Sequence, residues 1–357
     1  MNSGKTINGL LHSLLPIAIV RRFAALGGCF ALLLVVGVAS SPLTAADDTI
    51  RAGIIGCDTS HVIAFTDLFN APDADESLAN VKVVAAFPGG SHDIASSRDR
   101  VGKFTEKLRD KGIQIVDSVD TLVDLVDVVL LESVDGRKHL EQVRPVFASG
   151  KRVFIDKPIA ASLADTIEIA DLSKESGVPF FSCSAIRFTP GISSARTDPK
   201  LGQITGCATY SPCPVEPTHP DLYWYGVHGV EALFTIMGPD CERVTRTQTE
   251  DTELVVGVWG DGLVGTFRGI RKGRRDYGAL LFREKSNVFI EGFGGYEPLV
   301  KQIAQFFKTG VPPVSAEETI AIIAFMEAAD ESKRQGGMPV TIESVMARAK
   351  AEVADRK

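Results

Sequence analysis

Between residues 49 and 183, short apolar runs rich in Val and Ile alternate with stretches whose apolar residues recur at helical spacing. This alternation leaves few folds open. Residues 50–55, 81–87, 113–116, 128–131, 153–155 and 178–183 read as strands, and 60–69, 97–111, 120–126, 139–149 and 163–176 as helices or helical turns. Short strands that are apolar on both faces need cover on both faces, and the intervening helices supply it. The expectation is α/β: a Rossmann-type doubly wound parallel sheet.

After Arg187 the pattern changes. Residues 203–211, 243–249, 252–259, 263–270, 277–283 and 287–293 alternate in polarity or carry β-branched residues, and Gly260-Asp261-Gly262 between two of these runs is a hairpin signal. Residues 227–237 are the helical exception, closed by Gly238-Pro239. Two further helices, 299–308 and 316–333, follow; Ser315 and Glu318 make a capping box for the second. The second domain is expected to be α+β with a large, open, mainly antiparallel sheet. The boundaries implied are 1–46 for an export signal, 47–187 for the nucleotide-binding domain, 188–345 for the second domain and 346–357 for a tail.

A chain of 357 residues accommodates two domains of common size. Its formal charge is −7, and residues 1–46 carry Lys5, Arg21 and Arg22 and no acid, so the remainder stands at −10. That balance argues against nucleic acid and anionic membrane as partners of the folded part. Residues 23–39 are an uncharged run behind Arg21-Arg22 and ahead of the small residues that end in Ala45-Ala46. This is the order of an export signal cleaved after Ala46, which implies a periplasmic protein; the rival is an uncleaved membrane anchor at the short limit of length. Cys57, Cys183, Cys207, Cys213 and Cys241 contain no C-x-x-C pair, so no disulfide framework and no metal site is implied. A Cys207–Cys213 bridge and buried free thiols both remain open.

Chemistry is concentrated where strands end. The run Val153-Phe154-Ile155 stops abruptly in Asp156-Lys157-Pro158, and in an open parallel sheet such residues project into the ligand crevice. An X-Pro bond tolerates the cis form, which would aim the Lys157 ammonium sharply. The first strand runs into Gly56-Cys57-Asp58-Thr59-Ser60-His61, which keeps only the first glycine of a G-x-G-x-x-G fingerprint. Thr59, Ser60 and the free N–H groups there are suited to a phosphate. Asp58 would repel that phosphate unless turned away, and Asp58 or Thr59 as a plain helix cap is the alternative. The second strand ends in Phe87-Pro88 without the usual ribose-binding acid, and Ser91 or Arg98 is open to a 2′-phosphate or to solvent. His228 and Glu231 share a helix face, which lets the acid orient the imidazole. His139 reads either as a structural group or as a cofactor neighbour.

In order along the chain, the turn at 53–61, Val128 to Ser133, His139, Gly150-Lys151, Asp156-Lys157-Pro158, Arg187-Phe188 and Gly226-x-His228-x-x-Glu231 resemble the Gfo/Idh/MocA family, which includes glucose-fructose oxidoreductase and inositol dehydrogenase. The resemblance spans roughly residues 50 to 345. It implies a Rossmann domain holding NAD or NADP, with Gly56, Asp58, Thr59, Ser60, His61, Ser91, Ser133, His139 and Asp156 to Pro158 around the cofactor. It also implies a second domain that covers the nicotinamide and often mediates homo-oligomers. By the same resemblance Lys157 and His228 are catalytic, with Glu231 in the family's aspartate position, and Arg187, Trp224 and Tyr225 contact a carbohydrate or polyol. Trp224 stands where several family dehydrogenases carry an acid four residues before the histidine, and an aromatic there removes a proton relay.

The function expected is therefore an NAD(P)-dependent oxidoreductase acting on a sugar or polyol C–OH. Two rivals are an NAD-dependent glycosidase of the same fold and a non-catalytic nucleotide- or sugar-binding protein with a decayed cofactor loop.

Overall fold

The computed structural model describes residues 49–260 and 262–356. The export signal expected over residues 1–46 lies outside them. In chain order the first domain comprises β1 (Ile50–Ile55), α1 (His61–Asn70), β2 (Val81–Phe87), α2 (Ala95–Asp110), β3 (Gln114–Ile115), α3 (Val119–Leu125), β4 (Val128–Leu131), α4 (His139–Ala148), β5 (Arg152–Ile155), α5 (Leu163–Ser176) and β6 (Phe180–Phe181). The six strands form one parallel sheet in the order β3-β2-β1-β4-β5-β6. All four residues of β4 are buried, as a central strand covered by helices on both faces requires.

The second domain begins with β7 (Ile204–Pro212), the one-turn α6 (Asp221–Trp224), α7 (Val227–Met237), β8 (Cys241–Gln248), β9 (Thr252–Trp259), β10 (Val264–Ile270), β11 (Gly278–Arg283) and β12 (Val288–Glu291). It ends with α8 (Glu297–Thr309), α9 (Ala316–Arg334), β13 (Val340–Thr341) and α10 (Ile342–Asp355). Its seven strands run β12-β11-β7-β10-β9-β8-β13, antiparallel except for the β7–β10 pair. Helix α7 lies close against this sheet: a Cβ on Gly229 would fall 2.2 Å from the Phe267 ring of β10, so a side chain there would lift the helix and His228 with it. Its bounds are those read from the sequence.

Of the stretch read as a tail, residues 346–355 belong instead to α10. Val345, Ala349 and Val353 recur at i, i+4 and are buried, and Arg356 pairs with Asp165 at 2.7 Å and Glu168 at 2.9 Å on α5. The end of the chain thus returns to the first domain. Helix α8 does likewise through a row of rings: Phe306 meets Phe181 at 5.1 Å, Phe181 meets Phe154 at 5.0 Å, and Phe154 meets Phe65 of α1 at 6.3 Å between centroids. Full burial of each such side chain contributes about 2–3 kcal/mol. This packing fixes Tyr296, at the start of α8, over the crevice of the first sheet. Among the described residues no helix is long and apolar enough to cross a membrane, and the five cysteines are free and buried.

Candidate active site

The strand order of the first sheet reverses between β1 and β4, so the turns leaving these strands diverge and open a crevice at their carboxyl ends. Gly56 leaves β1 with φ +89°, and a Cβ there would fall 2.3 Å from Oγ of Ser133 in the turn after β4. Only glycine permits that approach. Asp58 is turned inward and fully buried: Oδ1 accepts the Val134 N–H at 2.9 Å and Oδ2 accepts the Ser97 hydroxyl at 2.6 Å. Burial pushes its carboxyl above the ordinary value in spite of these bonds, which weakens the repulsion a phosphate would meet. Thr59 Oγ1 accepts the His61 N–H at 3.4 Å, and no side chain caps α1 from the Ser60 position, so the N–H groups of its first turn beyond His61 stay available to an anion.

A cavity of about 570 Å³ extends from this turn to the second domain. Lys157 reaches it from the end of β5, after a backbone step in which the Lys157–Pro158 peptide is cis and the Lys157 N–H donates to Asp156 Oδ1 at 2.8 Å. Its ammonium makes no hydrogen bond or ion pair within reach among the described residues. Asp156 Oδ2 instead receives Nδ1 of His61 at 2.7 Å, and both groups are buried. Burial pushes the Asp156 carboxyl up, but His61, Lys157 and that N–H together hold it well below the usual carboxylate range. Beside it, at the end of β4, Glu132 is fully buried and neither carboxylate oxygen has a hydrogen-bond partner. Burial, and next the Asp156 charge, raise its carboxyl well above the usual value, so it keeps its proton.

From the other side α7 presents His228. Its Nδ1 lies 2.6 Å from the Ser184 hydroxyl, and Ser184 Oγ already accepts the Ile186 N–H at 3.3 Å. Where the hydroxyl donates to Nδ1, the neutral ring carries its own proton on Nε2 and turns it to the cavity. Burial, then Lys157 and His61, keep this imidazole well below its ordinary pKa and hence neutral. Trp224, Tyr225, Tyr277 and Phe293 complete an aromatic wall, with Tyr225 4.8 Å from the His228 ring.

Several expected site residues have other employment. Glu231 does not face His228; it binds Nε of Arg187, whose NH2 group binds Glu318 at 2.7 Å. Arg187, expected on the substrate, is thus a buried ion-pair centre linking the end of β6 to α7 and α9. The same contact redirects the capping box: Ser315 Oγ accepts the Glu318 N–H at 3.1 Å, while the Glu318 carboxylate goes to Arg187. His139 is fully buried, with Nδ1 3.0 Å from the Ile159 carbonyl and Nε2 2.7 Å from the Ser133 carbonyl, tying the β4 turn to the segment after β5. The Ser91 hydroxyl donates to Asp135 at 2.5 Å and Ser133 donates to Gln142 at 2.9 Å, so neither offers a free hydroxyl to a phosphate. Glu132, Ser184, Tyr277, Phe293 and Tyr296 escaped the sequence reading. Glu132 had a signal, since the apolar run 128–131 ends in an acid just as 153–155 does.

A second hollow of about 420 Å³, lined by Phe87, Gly89, Gly90, Lys138 and Gln142, borders Gly56 through Gly89. The glycine turn and the start of α1 thus lie between two hollows, an arrangement that fits the two halves of a dinucleotide. Residues 50–183 match the family model described as oxidoreductase family, NAD-binding Rossmann fold. These residues belong to the Gfo/Idh/MocA family. The Gfo/Idh/MocA match ends near β6, and the second domain is related to known proteins through its fold. A probable dehydrogenase from Thermotoga maritima superposes with a TM-score of 0.68 at 20% identity, covering 83% of this chain and 100% of that one. The scyllo-inositol dehydrogenase of Lactobacillus casei, solved with NAD(H) and scyllo-inositol, superposes with 0.67 at 15% identity over 83% and 99%. In sequence, an uncharacterized oxidoreductase of Streptococcus pneumoniae serotype 4 (strain ATCC BAA-334 / TIGR4) is 29% identical over 153 residues, which is 38% of this chain and 41% of that protein. The chain therefore spans about two fifths of that curated relative.

Proposed function

We propose that this protein is an NAD(P)-dependent oxidoreductase that transfers hydride between a nicotinamide and a C–OH carbon of a carbohydrate or polyol. The observation that carries the reading is the meeting of Lys157 and His228, from two domains, in one aromatic-walled cavity at the switch point of a Gfo/Idh/MocA Rossmann sheet. When bound, the nicotinamide accepts or gives the hydride. Gly56 lets the chain approach the pyrophosphate closely, and the first turn of α1 holds its charge. Lys157 Nζ, without a protein partner, binds the reacting oxygen and stabilises the charge that develops on it. His228 donates its Nε2 proton to the same oxygen or its neighbour. The rings of Trp224, Tyr225 and Tyr277 exclude water and stack on a sugar face.

Titration of the purified protein with NAD(H) and NADP(H), by calorimetry and nicotinamide fluorescence, tests the first part. Absence of binding, with none carried through purification, removes the oxidoreductase reading and leaves the non-catalytic one. If binding is found, nicotinamide absorbance with a panel of sugars and polyols, run beside cleavage of aryl glycosides, separates dehydrogenase from glycosidase. Lys157→Met should cut turnover at least about a hundredfold while leaving the thermal midpoint within a few degrees.

Two further parts of this reading concern assembly and location. Leu254, Val264, Phe282 and Phe289 are 37–57% exposed, and the strand register places them on one face of the second sheet. That face is read as the surface on which a second copy packs, and sedimentation of Val264→Lys against the wild type tests it. The order of charge, apolar run and small residues over 21–46 supports export, which N-terminal sequencing of the periplasmic fraction checks.

A further inference from the structure

The cavity holds a second imidazole. His61 occupies the last position of the degenerate glycine turn and begins α1, where its ring is stacked 5.3 Å from Phe65 and meets Tyr296 edge-on at 4.8 Å. Asp156 Oδ2 lies 2.7 Å from its Nδ1. A carboxylate accepts only, so the bond requires the proton of the neutral ring to be on Nδ1, and Nε2 presents a lone pair. His228 Nδ1 faces a hydroxyl instead of a carboxylate, and with Ser184 Oγ donating to it the proton of the neutral ring is on Nε2. Both histidines line the same cavity, and neither Nε2 has a hydrogen-bond partner among the described residues. One ring offers an acceptor, the other a donor.

We infer that His61, oriented by Asp156, is the proton acceptor of this site, and that Lys157 and His228 bind the oxygen that loses the proton. The inference rests on the oxidoreductase reading above and deepens it. In oxidation of a C–OH carbon, the C–H bond breaks with its electron pair, which leaves as hydride for the nicotinamide. The O–H proton passes to Nε2 of His61, and the electrons of the O–H bond become the second bond of C=O. The resulting imidazolium sits against the Asp156 carboxylate, and the carbonyl oxygen is held by the Lys157 ammonium and the His228 Nε2–H. Reduction runs the same transfers backwards. The acid that Trp224 displaces is thus replaced from the other domain, by a residue in the glycine turn.

The groups facing His61 are Asp156 and Lys157 from the end of β5, with Glu132 from the end of β4 behind Asp156, Tyr296 from the start of α8, and His228 from α7.

Two measurements test the inference on the full chain. In nitrogen-15-labelled protein, two-bond proton–nitrogen correlations should show neutral His61 protonated on Nδ1 and His228 protonated on Nε2, assigned by the loss of each pattern in His61→Gln and His228→Gln. This readout needs no cofactor and no substrate, so it stands even if the protein binds no nicotinamide, in which case the oxidoreductase reading fails separately. In kinetics, His61→Gln should lower kcat roughly 100- to 10,000-fold with dinucleotide affinity within a few-fold of wild type. Asp156→Asn should lower kcat and disturb the His61 tautomer. A His61 found protonated on Nε2, or His61→Gln turning over within a few-fold of wild type, overturns the inference.

Discussion

Glutamine at position 132 separates a buried proton from a buried charge. Glu132 lies at the end of β4, fully buried, with both oxygens unpartnered, and Asp156 beside it is held as an anion by His61 and Lys157. Two adjacent carboxylates in that position cannot both ionise, so the fold keeps the Glu132 proton that the unfolded chain gives up. The sign follows from proton counting. A carboxyl whose pKa is raised on folding costs no stability below its unfolded value, and above it the unfolded state gains by ionising. Stability therefore falls with rising pH, by about 1.4 kcal/mol per pH unit, from the ordinary glutamate value upward until the folded group titrates. Glu132→Gln has nearly the shape of the protonated acid and no proton to lose, so this slope should vanish. The difference in unfolding free energy, variant minus wild type, should grow by about 1.4 kcal/mol for each unit between pH 5 and the folded pKa. Urea unfolding at half-unit steps from pH 5 to pH 8 measures it, and taking the difference cancels other raised groups, among them Asp330 near 7. Parallel curves for the two proteins would show that Glu132 is ionised in the fold and would refute its assignment as a neutral neighbour of Asp156.

Gly56→Ala places a Cβ 2.3 Å from Ser133 Oγ and 2.4 Å from Ser133 backbone atoms at φ +89°. The left-handed backbone alone costs about 1–2 kcal/mol, so the thermal midpoint should drop and dinucleotide affinity should fall with it. Asp58→Asn removes the one acid of the turn while keeping an oxygen for the Val134 N–H, and calorimetry should show tighter dinucleotide binding by several-fold. Glu231→Gln leaves the Arg187 charge with one carboxylate instead of two, so stability should drop by about 1–3 kcal/mol while kcat stays within a few-fold; a lost kcat at unchanged stability would return Glu231 to the catalytic group. With Cys29 replaced by serine, a thiol reagent at pH 8 should find no fast-reacting cysteine until denaturant is added, because burial pushes Cys57, Cys207, Cys213 and Cys241 up to about 12 and Cys183 well above its usual value.

The fold was legible because hydrophobic period survives in sequence. The central strand 128–131 and the helix 227–237 have the bounds read from their residues, and the change of pattern after Arg187 marks the passage from a parallel to a mainly antiparallel sheet. Elements without a strong period were read less well: 178–183 contributes only Phe180–Phe181 to the sheet, and 346–357 looked like a tail because α10 buries just one residue in four. Lys157 was legible for a different reason, since a strand that stops in charge has few structural uses. What sequence could not supply was pairing. Arg187 and Glu231 each looked available, and folding brings them together across 44 residues, so that each satisfies the other and neither is left to the site.

The same limitation explains the reading of His61. Within Gly56 to His61 it looked like a lost glycine, a decay of the cofactor turn. The partner that accepts its Nδ1–H lies 95 residues away, at the strand end whose lysine had already marked the site. A proton acceptor in a dehydrogenase must sit within reach of the carbon from which hydride leaves, and the start of α1 is where a nicotinamide dinucleotide is gripped. Placing the base there is economical only if the helix start no longer needs its third glycine for close packing. Here the packing is taken up elsewhere, by Gly56 against Ser133 and by Asp58 bonding the β4 turn to α2. The unusual turn and the missing acid near His228 are then one change seen from its two ends: Trp224 gives up the relay on the second domain, and His61 with Asp156 supplies it from the first.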